Sequence, residues 1–448
     1  MARLAVLICA SLLLCLPALI NGGPILFPDT TAYIIDGDRL FHLAAPLNVR
    51  PVFYGLAIRF LHWDRSLWPV LLAQGLIVAH LLMLTLRVMG AGLRKLHFVL
   101  LIAGLAVFTP LGWTISHVLP DAFAATLILS LGLLAFCADR LGRGERVYLV
   151  LLAAASACFH LTHLAIGLAI AGVCWAGWLL RPSWRPGIRP VLATAPSGLA
   201  LLAFVLFSLV LYQRVSFAPN SPPFLLARVL ADGPGRDYLR AACPEHPYTL
   251  CRYLDSLPDT EEGFLWRFLP KVPTADGKAI KAEADQVVHG TVAMFPGQVA
   301  RHMLQNAATQ LVAIRATLYF DQQDREGLAT YAPFALRQYT GTMQDRGSLA
   351  TLLPPINAVH AAVALAGLAA CLWFGAAGLA QGLYRPALLI GTILFALVVN
   401  AVVSGALSGV FDRYQGRIVW LLPFAGVAAG IALSRSRVPV LREIAGTE

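Results

Sequence analysis

Ten apolar stretches limit what this chain can fold into. They run approximately over 3–21, 67–89, 96–114, 121–140, 147–160, 162–181, 191–213, 356–376, 386–407 and 417–434. A helix needs about 20 apolar residues to cross a bilayer, where its backbone must satisfy itself internally. Of the 448 residues 58% are hydrophobic and only 13% charged, with a mean hydropathy of +0.70. A soluble fold cannot hide that much apolar surface. The fold class expected is an all-α polytopic membrane protein with about ten transmembrane helices. The fifth and sixth stretches are short and joined by His160-Leu161-Thr162-His163. They read as two short spans or as one long tilted helix. Arg3 and the apolar run to Ile20 suit a signal peptide or a retained first helix. No clean small-x-small cleavage site precedes Asn21, which favours the helix.

Basic residues cluster in short connections: Arg87, Arg94 and Lys95; Arg140, Arg143 and Arg146; Arg181, Arg185 and Arg189; Arg435, Arg437 and Arg442. With ten spans they all fall on one side, which the positive-inside rule makes cytoplasmic together with both termini. The polar segments 21–66, 115–120, 214–355 and 408–416 then share the outer side. Three parts follow: an N-terminal transmembrane module, 1–213; a small, mainly helical extracytoplasmic domain, 214–355; and a C-terminal transmembrane module, 356–448. The middle part opens on Pro219, Pro222 and Pro223 and has turn chemistry at Asp232-Gly233-Pro234-Gly235. It holds 14 Lys/Arg and 14 Asp/Glu, so the net charge of +10 lies in the short connections and implies no nucleic-acid partner. Cys243 and Cys251 lie in it, close enough to form a disulfide in an oxidising compartment; free thiols are the alternative. The other six cysteines lie in apolar runs.

Carboxylates at the end of a spanning helix are costly to desolvate, so they pair, sit in a wet cavity or do chemistry. Pro28-Asp29-Thr30-Thr31-Ala32-Tyr33, then Asp36 and Asp38, follow the first apolar stretch directly. Asp29 and Tyr33 share a face if the segment is helical, and Asp29 is equally suited to capping that helix. Asp36 and Asp38 read as loop surface, with Asp36 the second choice for an acceptor site. Asn48-Val49-Arg50-Pro51-Val52-Phe53-Tyr54-Gly55-Leu56 begins a shorter apolar run. It suits a helix in the membrane interface, with Arg50 and Arg59 reaching headgroups and Trp63 and Trp68 at headgroup level. Asp121 precedes the fourth stretch as a helix cap or a second active carboxylate, with His117 one turn earlier. His160 and His163 suit a polar turn. His360, Asn400 and Ser404 suit interhelical hydrogen bonds. Tyr238, Tyr248, Tyr253 and Trp266 read either as domain core or as an aromatic surface for a sugar or lipid.

Pro-Asp-Thr-x-x-Tyr after a first apolar helix, then Arg-Pro-x-x-Tyr-Gly-Leu, resembles the GT-C superfamily of membrane glycosyltransferases. That superfamily includes the protein O-mannosyltransferases and the lipid A aminoarabinose transferases. The resemblance extends to His117-Val118-Leu119-Pro120-Asp121 and to Phe411-Asp412-Arg413-Tyr414-Gln415-Gly416-Arg417, and hardly touches 214–355. It implies transfer of a monosaccharide from a polyprenyl-phosphate donor to a glycolipid, polysaccharide or protein acceptor. The reaction would run on the outer face of a membrane, here a bacterial inner membrane. By resemblance Asp29 is the catalytic base and Asp121 a second active carboxylate. Tyr33, Asp36, Arg50, His117, Arg413 and Arg417 would bind substrate. No cofactor is certain, and a divalent cation held by Asp29 and Asp121 is an option that the resemblance leaves open. The rivals are an O-antigen ligase or polymerase, whose chemistry would sit on His246, Arg252 and His302, and a transporter, whose two matching halves are not visible.

Overall fold

The computed structural model describes residues 2–44, 46, 50–213, 215–216 and 222–445, with side chains through Ser436 except that of Tyr212. Asn48, Val49, Arg214 and Pro219 lie outside the described residues, as do the side chains of Arg437 and Arg442. The chain is 80% helical and, among the described residues, has no strand. Among the described residues six helices are long and apolar enough to cross a membrane: Trp68–Val88, Leu161–Leu180, Pro190–Leu211, Ser348–Ala380, Tyr384–Ala406 and Arg413–Ser436. These make it an all-α, multi-pass membrane protein. Four shorter apolar helices accompany them: Ala2–Leu14, Val52–His62, Lys95–Phe108 and Ala122–Phe136.

The long helices divide by what surrounds them. Of the most apolar window in Arg413–Ser436, 72% is buried; for Pro190–Leu211 and Ser348–Ala380 the shares are 28% and 22%. The first helix is central. The other two turn outward large apolar side chains such as Val210, Leu365 and Trp373, an arrangement suited to lipid but not to water. Sequence breakers set the interruptions. Pro17 follows the break at Cys15 between Ala2–Leu14 and Leu16–Asn21. Pro110 lies between Lys95–Phe108 and Leu111–Ser116. Proline lacks the N–H that an interior helical position donates. His160 is extended between Arg143–Phe159 and Leu161–Leu180, so the two short stretches are two helices.

The stretch 21–66 is not a loop. It carries the helices Pro28–Phe41 and Val52–His62, which pack together through two glycines. A Cβ on Gly37 would lie 2.2 Å from the Gly55 carbonyl oxygen, and one on Gly55 would lie 2.4 Å from that of Tyr33. Only hydrogen fits there. The approach sets Tyr33 edge-on to Tyr54, with ring centres 5.0 Å apart. The second helix therefore lies inside the protein. Arg59 does not reach for headgroups: it is buried and pairs with Asp38 at 3.1 Å and Asp64 at 3.0 Å. Asp36 is not loop surface either, being helical and 2% exposed.

Within the polar region, Leu226, Leu230, Leu239, Phe264, Ile280 and Val287 build a core of their own, and Cys243 and Cys251 are disulfide-bonded beside it. Further along, Leu328, Phe334, Ala335 and Tyr339 join the large core of the membrane-spanning part. Gly37→Ala should overpack the helix contact and lower stability by about 1–3 kcal/mol. Thermal unfolding of the purified full chain checks this, and a midpoint equal to wild type would mean that the close approach carries no such constraint.

Candidate functional site

Two short stretches of backbone bring the acids together. Ile25 N–H donates to the Ser116 carbonyl at 3.0 Å, and Val118 N–H returns a bond to Ile25 at 3.3 Å. Thr30 Oγ1 donates to the Val118 carbonyl at 3.2 Å. Gln74 reaches from the helix Trp68–Val88 and donates to the carbonyls of Ile115 and His117, both at 3.1 Å, while accepting from the Tyr54 hydroxyl at 2.9 Å. Gln344 brackets Leu26, accepting its N–H at 3.0 Å and donating to its carbonyl at 2.7 Å. The start of the Asp29 helix is thus locked to the segment leading into Asp121.

The arginines arrive on the helix Arg413–Val419. The chain leading into it is held in a similar way: Gln310 accepts the Phe411 N–H at 2.8 Å and donates to its carbonyl at 2.9 Å. Asn400 donates to the Tyr414 carbonyl at 2.7 Å and to the Gln415 side chain at 2.8 Å, and its own oxygen accepts from Arg417 at 2.9 Å.

Asp29, Asp121, Arg50, Arg413 and Arg417 form one ion cluster. Arg50 pairs with one Asp29 oxygen, and Arg413 donates to the other at 2.8 Å. Arg417 donates to Asp121 at 3.0 Å and Arg413 lies 3.6 Å from its second oxygen, so Arg413 bridges both acids. Arg417 also donates to Thr162 Oγ1 at 2.9 Å. Asp29, Asp121 and Arg417 are 4%, 5% and 1% exposed. Aromatic faces fix the guanidinium planes: Arg413 lies 4.4 Å from the Phe27 ring centre and Arg417 5.0 Å from that of Tyr414. Three guanidiniums against two carboxylates leave one positive charge in excess. Beside the cluster is a small cleft lined by Phe27, Trp113, His117, Asp121, Arg315 and Arg413 among others.

Neither acid caps its helix. Asp121 makes no cap bond and faces the arginines instead. Arg413 pairs with the two acids rather than with Asp412, whose carboxylate accepts the Arg315 N–H at 3.1 Å. His117 lines the cleft without bonding Asp121; its Nδ1 lies 2.7 Å from the Trp113 carbonyl and is the protonated nitrogen. Tyr33 lies one turn beyond Asp29 and Asp36 two turns beyond it on the same helix. His160 Nδ1 accepts the Thr162 N–H at 3.2 Å, and His163 bonds the Ser156 carbonyl at 2.9 Å, so both histidines satisfy backbone freed at the turn. Arg252 pairs with Asp276 at the surface of the polar domain. Sequence reasoning missed Thr162, Phe27 and Arg315. The first two are ordinary helix-end residues in sequence, and only the fold turns them to the arginines or the cleft.

Comparison with protein-family models, with curated proteins and with solved structures finds no match. The donor set around Asp29 and Asp121 does not fit a divalent cation. Three guanidiniums already neutralise both carboxylates, and among the described residues no group of three His, Cys, Asp or Glu side chains converges.

Two predictions follow from the charges. Arg417→Met leaves buried Asp121 without its shortest partner and should destabilise the protein by about 3–5 kcal/mol. Adding Asp121→Leu should recover part of the loss, and a double-mutant cycle by thermal unfolding reads the coupling. The second concerns the helix Gln322–Tyr331, which packs on the Asp29 helix. Burial pushes the Asp324 carboxyl up to about 6 and the neighbouring Asp321 charge adds to this, while a bond from the Asp321 N–H opposes it. The folded chain holds this proton more tightly than the unfolded one. The penalty for ionised Asp324 is therefore present above about pH 6 and is relieved as pH falls from there toward 4. The unfolding midpoint of wild type relative to Asp324→Asn should rise between pH 7 and pH 5; a constant difference would refute the assignment.

Proposed function

We propose that this protein is a GT-C-type membrane glycosyltransferase. It moves a monosaccharide from a polyprenyl-phosphate donor to a hydroxyl of a glycolipid, polysaccharide or protein acceptor. The observation that carries this reading is the cluster of two buried acids and three arginines, with its excess positive charge, beside an aromatic-lined cleft at the head of apolar helices. A base for a hydroxyl and fixed positive charge for a departing phosphate are the two things that such a transfer needs.

In this reading the Asp29 carboxylate takes the proton of the acceptor hydroxyl. The acceptor oxygen bonds to the anomeric carbon from the side opposite the phosphate. The anomeric C–O bond to phosphate breaks, and its electron pair leaves with the polyprenyl phosphate, so the product is inverted. Arg413 and Arg417 hold the phosphate; their planar forks suit its oxygens and stay charged throughout. Arg50 releases one Asp29 oxygen as the acceptor arrives. Asp121 keeps Arg413 and Arg417 aligned, and His117 and Tyr33 border the substrates. The chain crosses a bacterial inner membrane ten times, with both termini in the cytoplasm and the cluster and polar domain on the outer side, where the Cys243–Cys251 disulfide persists.

The test is transfer of radiolabelled sugar from polyprenyl-phosphate donors to lipid, polysaccharide and protein fractions of matched membranes. Asp29→Asn should lower product at least 100-fold at equal protein level, the lower end of what a general base supplies. Equal product from both proteins would remove Asp29 from the mechanism.

A further inference from the structure

The aromatic residues of the polar domain divide into two kinds. Tyr238 and Tyr248 bond each other through their hydroxyls at 3.0 Å, and Tyr253 bonds Asp276. Phe264, 1% exposed, and Phe268 belong to the domain core. These are structural. Trp266 lies between them in sequence yet outside that core and is 42% exposed. It sits on the π-helical turn Gly263–Phe268, a local widening of the helix that recurs at functional sites. Its ring centre lies 5.3 Å from the Arg50 guanidinium, and Arg50 is the group paired with Asp29.

The turn is held firmly. Arg228 pairs with Glu261 at 3.3 Å and with Asp232 at 2.6 Å, and Asn306 donates to Asp232 at 3.0 Å. Phe224 packs edge-on to Trp266 with ring centres 6.1 Å apart. Glu262, also exposed, is close enough to the cluster to feel the charges of Arg413 and Asp29; partial burial first, then Glu261, pushes its carboxyl up. A half-exposed indole held rigid, with an arginine on its face and Glu262 four residues before it in the chain, presents an apolar plate with hydrogen-bonding groups beside it. A pyranose ring is complementary: its C–H face covers the plate and its hydroxyls meet those groups. An anchor for acyl chains would not be flanked by Glu262 and Arg267 or coupled to a buried ion cluster.

We infer that Trp266, with Arg50 and Glu262 beside it, is a stacking site for a sugar ring of a carbohydrate acceptor, next to Asp29. This rests on the glycosyl-transfer reading above and narrows its acceptor to carbohydrate. The ring on Trp266 would hold the chain end so that one hydroxyl meets Asp29 as Arg50 gives way.

The experiment uses the full chain in lipid nanodiscs, applied to an array of defined oligosaccharides and Ser/Thr peptides. Wild type should bind oligosaccharides of the array and not the peptides. Trp266→Ala should weaken that binding about tenfold, the scale of one lost aromatic contact, and Trp266→Phe should restore most of it. An unchanged unfolding midpoint and an intact Cys243–Cys251 bond show that each variant is folded. Equal binding by wild type and Trp266→Ala overturns the inference. So does wild type that binds peptides only, or no ligand on the array. Oligosaccharide binding that depends on Trp266, together with no sugar transfer in membranes, would leave the stacking site standing and remove the transferase reading.

Discussion

The fold depends on how a cluster of five charges, three of them buried, is paired. Asp29, Asp121, Arg50, Arg413 and Arg417 come from the two ends of the chain and from a helix start between them, and each acid meets two guanidiniums. Taking one such ion out of water costs several kcal/mol even after relaxation, so none can stay buried without its partners. The first helices, the Asp121 segment and the penultimate turn are therefore obliged to meet. Hydrophobic burial cannot supply that demand inside a membrane, where lipid is as apolar as a leucine core. Well-packed apolar residues in place of a whole buried ion set are often as stable, so the set fixes which segments meet rather than adding net strength.

Arg413 is the pivot of this set. It touches both acids and lies flat against Phe27, so its position defines the gap between Asp29 and Asp121. Arg417, one turn on, is tied to Thr162 and Asn400 as well as to Asp121. Both guanidiniums line the cleft, and Arg417 also anchors the helix that carries them. Two arginines four residues apart read alike in sequence, but burial divides their tasks.

Much of this was legible in the sequence. The apolar stretches at 67–89, 162–181, 191–213, 356–376, 386–407 and 417–434 correspond to long helices, because length and hydropathy alone decide them. Asp29, Asp121, Arg413 and Arg417 stood out because charges beside apolar runs are expensive. The course of 21–66 was not legible: nothing local says that Gly37 and Gly55 touch, and without that contact Arg59 and Asp36 read as surface. The pairing of Arg50 was not legible, since its two partners, Asp29 and Trp266, are far from it in the chain. Long-range pairing of this kind leaves no periodic trace.

The two bracketing glutamines have a further consequence. Gln310 clasps Phe411, two residues before the helix begins at Arg413, and Gln344 clasps Leu26, three residues ahead of Asp29. Both belong to the same inserted stretch between the membrane modules. That stretch therefore acts as a gauge block: the span of backbone from Gln310 to Gln344 sets how far apart the two ends of the chain are held where they face each other. Insertions elsewhere in the polar region change its bulk, whereas a length change between these two residues alters the width of the site.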